Sequence, residues 1–127
     1  MPTSSSTDRL ALSKRFALEA ARLASQTRGQ NISVLDVSSL SPITDFYVIA
    51  TGTSSRQMRT LIDQISELAA APPFSMKPLS NSGYTGDQWI LSDYLDVIIH
   101  VFSEEARSFY DLDNLWGDAK KLPWEPK

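Results

Sequence analysis

Apolar and polar residues alternate with a period that changes along the chain, and each change marks a new element. Leu12, Phe16, Ala20 and Leu23 recur at helical spacing with Ala17 and Ala24 beside them, while Arg15, Glu19 and Arg22 take another face. The pattern predicts a first helix from an N-cap at Thr7 or Asp8 to about Thr27, closed by a left-handed Gly29. Ile32 to Val37 is β-rich and mostly apolar, which predicts a strand buried on both faces. Ser38 to Asp45 is a loop marked by Pro42, and Phe46 to Ala50 is a second apolar strand whose period breaks at Gly52.

The second helix has the clearest pattern. Ser54 and Gln57 stand at capping-box spacing, so each side chain is placed to satisfy a free N–H at the other. Met58, Leu61, Ile62, Ile65, Leu68 and Ala69 mark one face, Arg56, Arg59, Asp63, Gln64 and Glu67 the other, and Pro72-Pro73 ends the run. Phe74 to Leu79 reads as a short third strand, at a sheet edge because Pro78 has no N–H for a ladder. Asn81 to Asp87, with Gly83 and Gly86, reads as a mobile loop. Gln88–Ser92 and Asp96–Phe102 then form a hairpin turning at Tyr94-Leu95, a poor pair for a turn that needs positive φ. Ser103 caps a third helix with Glu104 and Glu105 in its first turn and Ala106, Phe109 and Tyr110 on its apolar side. Asp111 starts a further turn carrying Leu112, Leu115 and Trp116, and from Gly117 a polar tail follows.

The element order α-β-β-α-β-β-β-α predicts an α/β fold: a single layered domain, with one mixed sheet of about five strands and helices packed on it. Residues 1–6, small and polar, are expected to be disordered, 7–118 to form the domain, and 119–127 to be a C-terminal tail. A chain of 127 residues buries enough apolar surface to fold without staples. It has no cysteine, which removes disulfides, thiolate nucleophiles and cysteine-based zinc sites and suits a reducing, cytoplasmic setting. The sequence shows neither a membrane-length apolar run nor a secretory or transit signal at its N-terminus. The net charge of −3 argues against a direct grip on RNA phosphates, so little rRNA contact is expected.

Candidate chemistry is sparse. Thr51-Gly52-Thr53-Ser54-Ser55 joins a strand to a helix start, where free N–H groups can hold an anion, but the lysine and glycine spacing of a phosphate loop are missing. Gly52 is therefore read as making the turn and Ser54 as the cap. Asp93 and Asp96 flank the hairpin turn and read as turn or contact residues; a working carboxylate pair wants a shielded pocket. His100, the only histidine, reads as a hydrogen-bonded, half-buried strand residue. Leu61 and Ile65 read as core, as does Trp116 beside Leu112 and Leu115. Trp89 divides evenly between packing and partner contact. No metal or cofactor is expected.

Three blocks carry a resemblance: Leu35 to Ser38 with Ile43 to Gln57; Trp89 to Phe102; and Glu104 to Leu112 through Leu115-Trp116-Gly117-Asp118. In this order and spacing they resemble the ribosome-silencing factor, or Iojap-related, family. The resemblance implies a nucleotidyltransferase-like topology without that activity. It implies binding to the large ribosomal subunit through ribosomal protein fourteen, a steric block to joining of the small subunit, and silencing of translation under nutrient limitation. It also implies a homodimer when free. Leu95 replaces the glycine usual at the family's hairpin, and Ser82-Gly83 stands where Glu-Gly is common. The expected partner contacts are Trp89, Asp93, Tyr94 and Asp96, with Arg56 and Gln57 as a second place. The alternative is a nucleotidyltransferase-like phosphoryl-transfer enzyme or nucleotide-binding protein using the Gly52 loop. It would need metal-binding carboxylates on a strand soon after the helix start, yet the strands that follow Pro72-Pro73, from Phe74 to Phe102, hold no Asp-x-Asp.

Overall fold

The structure, a computed structural model, describes residues 6–125; of the expected disordered segment 1–6, residues 1–5 lie outside the described residues and Ser6 opens the first helix. The elements are α1 (Ser6–Gln26), β1 (Gln30–Asp36), β2 (Phe46–Gly52), α2 (Ser55–Ala70), β3 (Ser80–Ser82), β4 (Trp89–Asp93), β5 (Val97–Ser103), α3 (Glu104–Tyr110), α4 (Leu112–Leu115) and β6 (Lys120–Lys121). The strands form one six-stranded sheet in the order β3-β4-β5-β2-β1-β6. β2 and β5, side by side at its centre, are parallel; every other neighbouring pair is antiparallel. The sheet is mixed, as expected, with six strands rather than about five.

Because side chains alternate across a strand, each central strand serves two layers. Val34, Phe46, Val48, Ala50, Ile90, Val97, Ile99 and Val101 point to one face, where they meet Phe16, Ala17, Ala20 and Ala24 of α1 and Met58, Leu61, Ile62 and Ile65 of α2. Leu61 and Ile65 are core residues there, as their spacing predicts. The other face carries a smaller cluster, Leu35, Val37, Ile49 and Phe102, covered by Ala106 of α3 and Leu112 of α4.

Local departures have local causes. Thr7 and Asp8 lie within α1, not at its cap, and Leu12 stays exposed. The left-handed residue after α1 is Arg28 at φ 70, not Gly29. Gly29 is needed for space instead, because a Cβ there would meet the Ala24 carbonyl oxygen at 2.9 Å. β2 runs through Gly52, where a Cβ would meet Met58 Cγ at 2.6 Å, so Gly52 permits close approach of α2. The capping box is displaced by one residue: Gln57 N–H donates to Ser54 Oγ at 3.1 Å, but Gln57 Oε1 accepts from the N–H of Thr53 at 2.6 Å.

The third strand is not Phe74–Leu79. Phe74 turns into the core against Phe16, and pairing begins only past Pro78, with Leu79 N–H donating to the Asp93 carbonyl before Ser80–Ser82 zips to β4. Part of the expected Asn81–Asp87 loop is therefore strand. Nor is the C-terminal segment a free tail. Lys120 and Lys121 pair with Asp36 and Leu35 of β1, Leu122 is buried, and Trp124 Nε1–H donates to the Ile32 carbonyl at 3.1 Å. On α3, Phe109 is 81% exposed, and on α4, Leu115 is 71% exposed, so neither is core; Trp116 packs on the smaller cluster as expected.

Candidate functional site

The sealed face is covered by long helices; the other is covered only in part. Register fixes what the uncovered part presents. Tyr47 of β2 lies beside Ile98 of β5, which lies beside Asp93 of β4. Ile49 lies beside His100 and then Leu91, and Thr51 beside Phe102 and then Trp89. The short helices α3 and α4 cover the Ile49 and Phe102 end, while Tyr47, Trp89, Leu91, Asp93 and Ile98 remain half-buried.

The ring contacts are continuous. Trp89 lies 4.8 Å from Tyr110, 5.0 Å from Phe102 and 5.7 Å from His100 between ring centroids. Tyr47 meets His100 edge-on at 4.9 Å and Trp116 at 5.4 Å. Trp89 Nε1–H donates to His100 Nδ1 at 3.1 Å. An indole nitrogen only donates, so Nδ1 must be the accepting nitrogen and the imidazole proton sits on Nε2. Burial pushes the His100 pKa down to about 4, so the ring is neutral near pH 7. His100 is thus more deeply buried than its expected half-burial, and it acts as the fixed acceptor that orients Trp89.

The corner where α3 meets α4 is braced from below. Arg107 Nε donates to Asp113 Oδ1 at 3.1 Å, and its other nitrogens reach Thr51 Oγ1 and Ser33 Oγ, joining the corner to β2 and β1. Burial alone would raise the Asp113 pKa, but the Arg107 hydrogen bond and charge hold it below the ordinary carboxylate value.

The four expected contact residues divide between the faces. Trp89 and Asp93 share the half-open face; Asp93 Oδ1 accepts the Leu95 N–H at 2.8 Å. Tyr94 points the opposite way, is 5% exposed and packs edge-on against Phe16 at 5.2 Å, so it is a core residue and not a contact. Asp96 accepts Arg9 Nε at 2.6 Å and Nη2 at 2.9 Å, tying the hairpin turn to α1. The alternation of a strand explains Tyr94: one position past Asp93, it emerges on the other side.

At the second expected place, the Gln57 side chain is committed internally, donating to the Thr27 and Arg28 carbonyls, while Arg56 is exposed. Ser54 is the α2 cap, as expected. Sequence reasoning missed Tyr47, Leu91, Ile98 and Tyr110. Their signal lay in the register: each strand residue is an even number of places from Trp89 or His100, or directly across from one that is.

Among the described residues no three His, Cys, Asp or Glu side chains gather closely enough to hold a metal ion, and no helix is long and apolar enough to cross a membrane.

A family described as "Ribosomal silencing factor during starvation" matches residues 11–127. A ribosomal silencing factor from Bacillus subtilis is 33% identical over 100 residues, covering 79% of this chain and 83% of that protein. The chloroplastic protein Iojap of Arabidopsis thaliana is 34% identical over 112 residues, covering 87% of this chain and 46% of that protein. A crystal structure of a Chromobacterium violaceum protein superposes with a TM-score of 0.74 at 26% identity, covering 92% of both chains. With both the sequence blocks and the sheet accounted for, the chain belongs to the ribosomal silencing factor family.

Proposed function

We propose that this protein represses translation by docking on the large ribosomal subunit and occupying the surface that the small subunit needs. The reading involves no turnover. Its partner, as the family resemblance implies, is ribosomal protein fourteen of the large subunit, and its action lies with the ribosomes in the cytoplasm when nutrients are short. The observation that carries it is the half-open aromatic face built on Trp89 in a chain of this family. Tryptophan and tyrosine make strong anchors because they bury a large stiff surface and keep a polar handle. Here Trp89 is already oriented by His100, so little rotamer entropy is lost on docking. Asp93 on the same face suits a basic protein partner. The free protein is read as a homodimer that hides this apolar face.

The experiment is subunit reassociation followed by light scattering. Saturating protein, added to separated subunits, is expected to suppress reassociation in proportion to its occupancy of large subunits. Reassociation at the control rate under those conditions overturns the reading.

A further inference from the structure

Phe109 is the most exposed large hydrophobic side chain among the described residues, at 81%. A lone exposed phenylalanine needs no explanation, but a contiguous apolar strip does. The Phe109 ring stands edge-on to Tyr110 at 5.0 Å, and Tyr110, itself 44% exposed, lies 4.8 Å from Trp89. The aromatic surface therefore continues from the sheet, around α3, to its outer side.

We propose that Phe109 is a second anchor of the docking surface, seating in an apolar pocket bordered by lysine or arginine on a basic protein of the large subunit. The inference rests on the docking reading above and adds a place that the sheet face does not contain. Charge selects the occupant. Glu104 and Glu105 in the first turn of α3 and Asp111 at its end are all exposed, while Lys121 of β6 stands on the Asp113 side of the corner. The only cation of α3, Arg107, is turned inward to Asp113, Thr51 and Ser33. An apolar tip whose own helix carries exposed carboxylates at both ends and no outward-facing cation favours a cationic protein surface over rRNA phosphates.

Rigidity is the second support. Asp111 takes a left-handed conformation at φ 49 and ψ 53 between the two short helices, and the Arg107–Asp113 pair fixes the corner to β1 and β2. A side chain presented from a braced corner binds with less ordering cost than one on a free loop.

The test measures binding of the full chain to purified large subunits, at low and high salt, for the parent, Phe109→Ala, Glu105→Lys and Trp89→Ala. Phe109→Ala is expected to weaken binding roughly 10-fold, through faster release, with an unchanged melting temperature. Glu105→Lys is expected to slow association, with an effect that shrinks as salt rises. Three results overturn the proposal: Phe109→Ala binding like the parent; Phe109→Ala changing only self-association, which would make a second copy the occupant; or Glu105→Lys binding tighter with a steeper salt dependence, which would mean an rRNA neighbour. If Trp89→Ala loses binding while Phe109→Ala keeps it, this anchor alone falls. If the parent does not bind large subunits at all, the docking reading falls with it.

Discussion

The two faces of the sheet are made from the same strands yet differ in kind. On β5, Val97, Ile99 and Val101 face α1 and α2, while Ile98, His100 and Phe102 face the other way; on β2 the corresponding sets are Phe46, Val48, Ala50 and Tyr47, Ile49, Thr51. The first face is apolar throughout, mostly aliphatic with Phe16, Phe46, Phe74 and Tyr94 interleaved, and is sealed by two long helices. Stability lives there, since each fully buried aliphatic side chain contributes about 1.5–3 kcal/mol. The second mixes large rings, a histidine and a threonine under two helices of seven and four residues. Its rings are placed by contacts among themselves, and part of their surface is left for something else to cover. One chain thus builds a sealed face and a half-open one from alternate positions of the same strands, and in the docking proposed above the partner takes the second.

That contrast can be broken most directly at Leu61. Leu61→Ala empties a fully buried site on the sealed face and is expected to destabilise the domain by about 2–5 kcal/mol. Trp89→Ala is expected to lower stability by less, leave the domain folded, and weaken large-subunit binding roughly 30-fold. Chemical denaturation and subunit binding, measured on both variants, test the division; equal losses of stability would erase it.

His100 sharpens the same contrast through pH. Its folded pKa of about 4 lies below the ordinary value of 6.5. Above pH 6.5 the ring is neutral in both states and contributes no pH dependence. Between pH 6.5 and 4 the unfolded chain takes up a proton that the folded domain refuses, so stability falls as pH falls, by up to about 3 kcal/mol. His100→Gln, which removes the titration, should flatten the denaturation midpoint across this window. A parent whose midpoint does not fall between pH 6.5 and 4 would show that His100 is not held neutral.

The smallest effect belongs to the turn where the chain passes from β4 to β5. Leu95 sits at φ 75, a conformation L side chains rarely adopt, with Asp96 N–H donating to the Tyr94 carbonyl across it. Leu95→Gly should relieve that strain and raise stability by up to about 1 kcal/mol, the gain being reduced by glycine's larger unfolded-state entropy. A drop in melting temperature would show that the leucine's own packing outweighs its backbone.

Much of the fold was legible because period reports burial. The α2 face from Met58 to Ala69, the β2 and β5 strands and the Ser103 cap all lie where spacing put them. Three things were not legible. β6 is only two lysines long, and its strand character comes from Leu122 and Trp124 anchoring the segment beyond it. β3 is set by where Pro78 stops interfering, not by its own residues Ser80–Ser82. Tyr94 looked like an exposed turn residue, and only the alternation past Asp93 sends it into the core. The candidate site was half legible: Trp89 stands out by type, but Tyr47 and Ile98 are hidden in runs so apolar that neither face is distinguishable until the neighbouring strand fixes the register.

The pairing of β6 with β1 has a consequence for the order of synthesis. β1 leaves the ribosome early, yet its outer edge closes only when residues 120–124 have emerged, and an unpaired edge is a template for mispairing. Until then the α1 face is also incomplete, because Leu122 fills part of the core and the Trp124 carbonyl receives Arg22 of α1 at 2.8 Å. The nascent domain is therefore held unfinished until residues 120–124 have emerged. A protein that acts on ribosomes thus completes its own fold only after the ribosome translating it has passed residue 124.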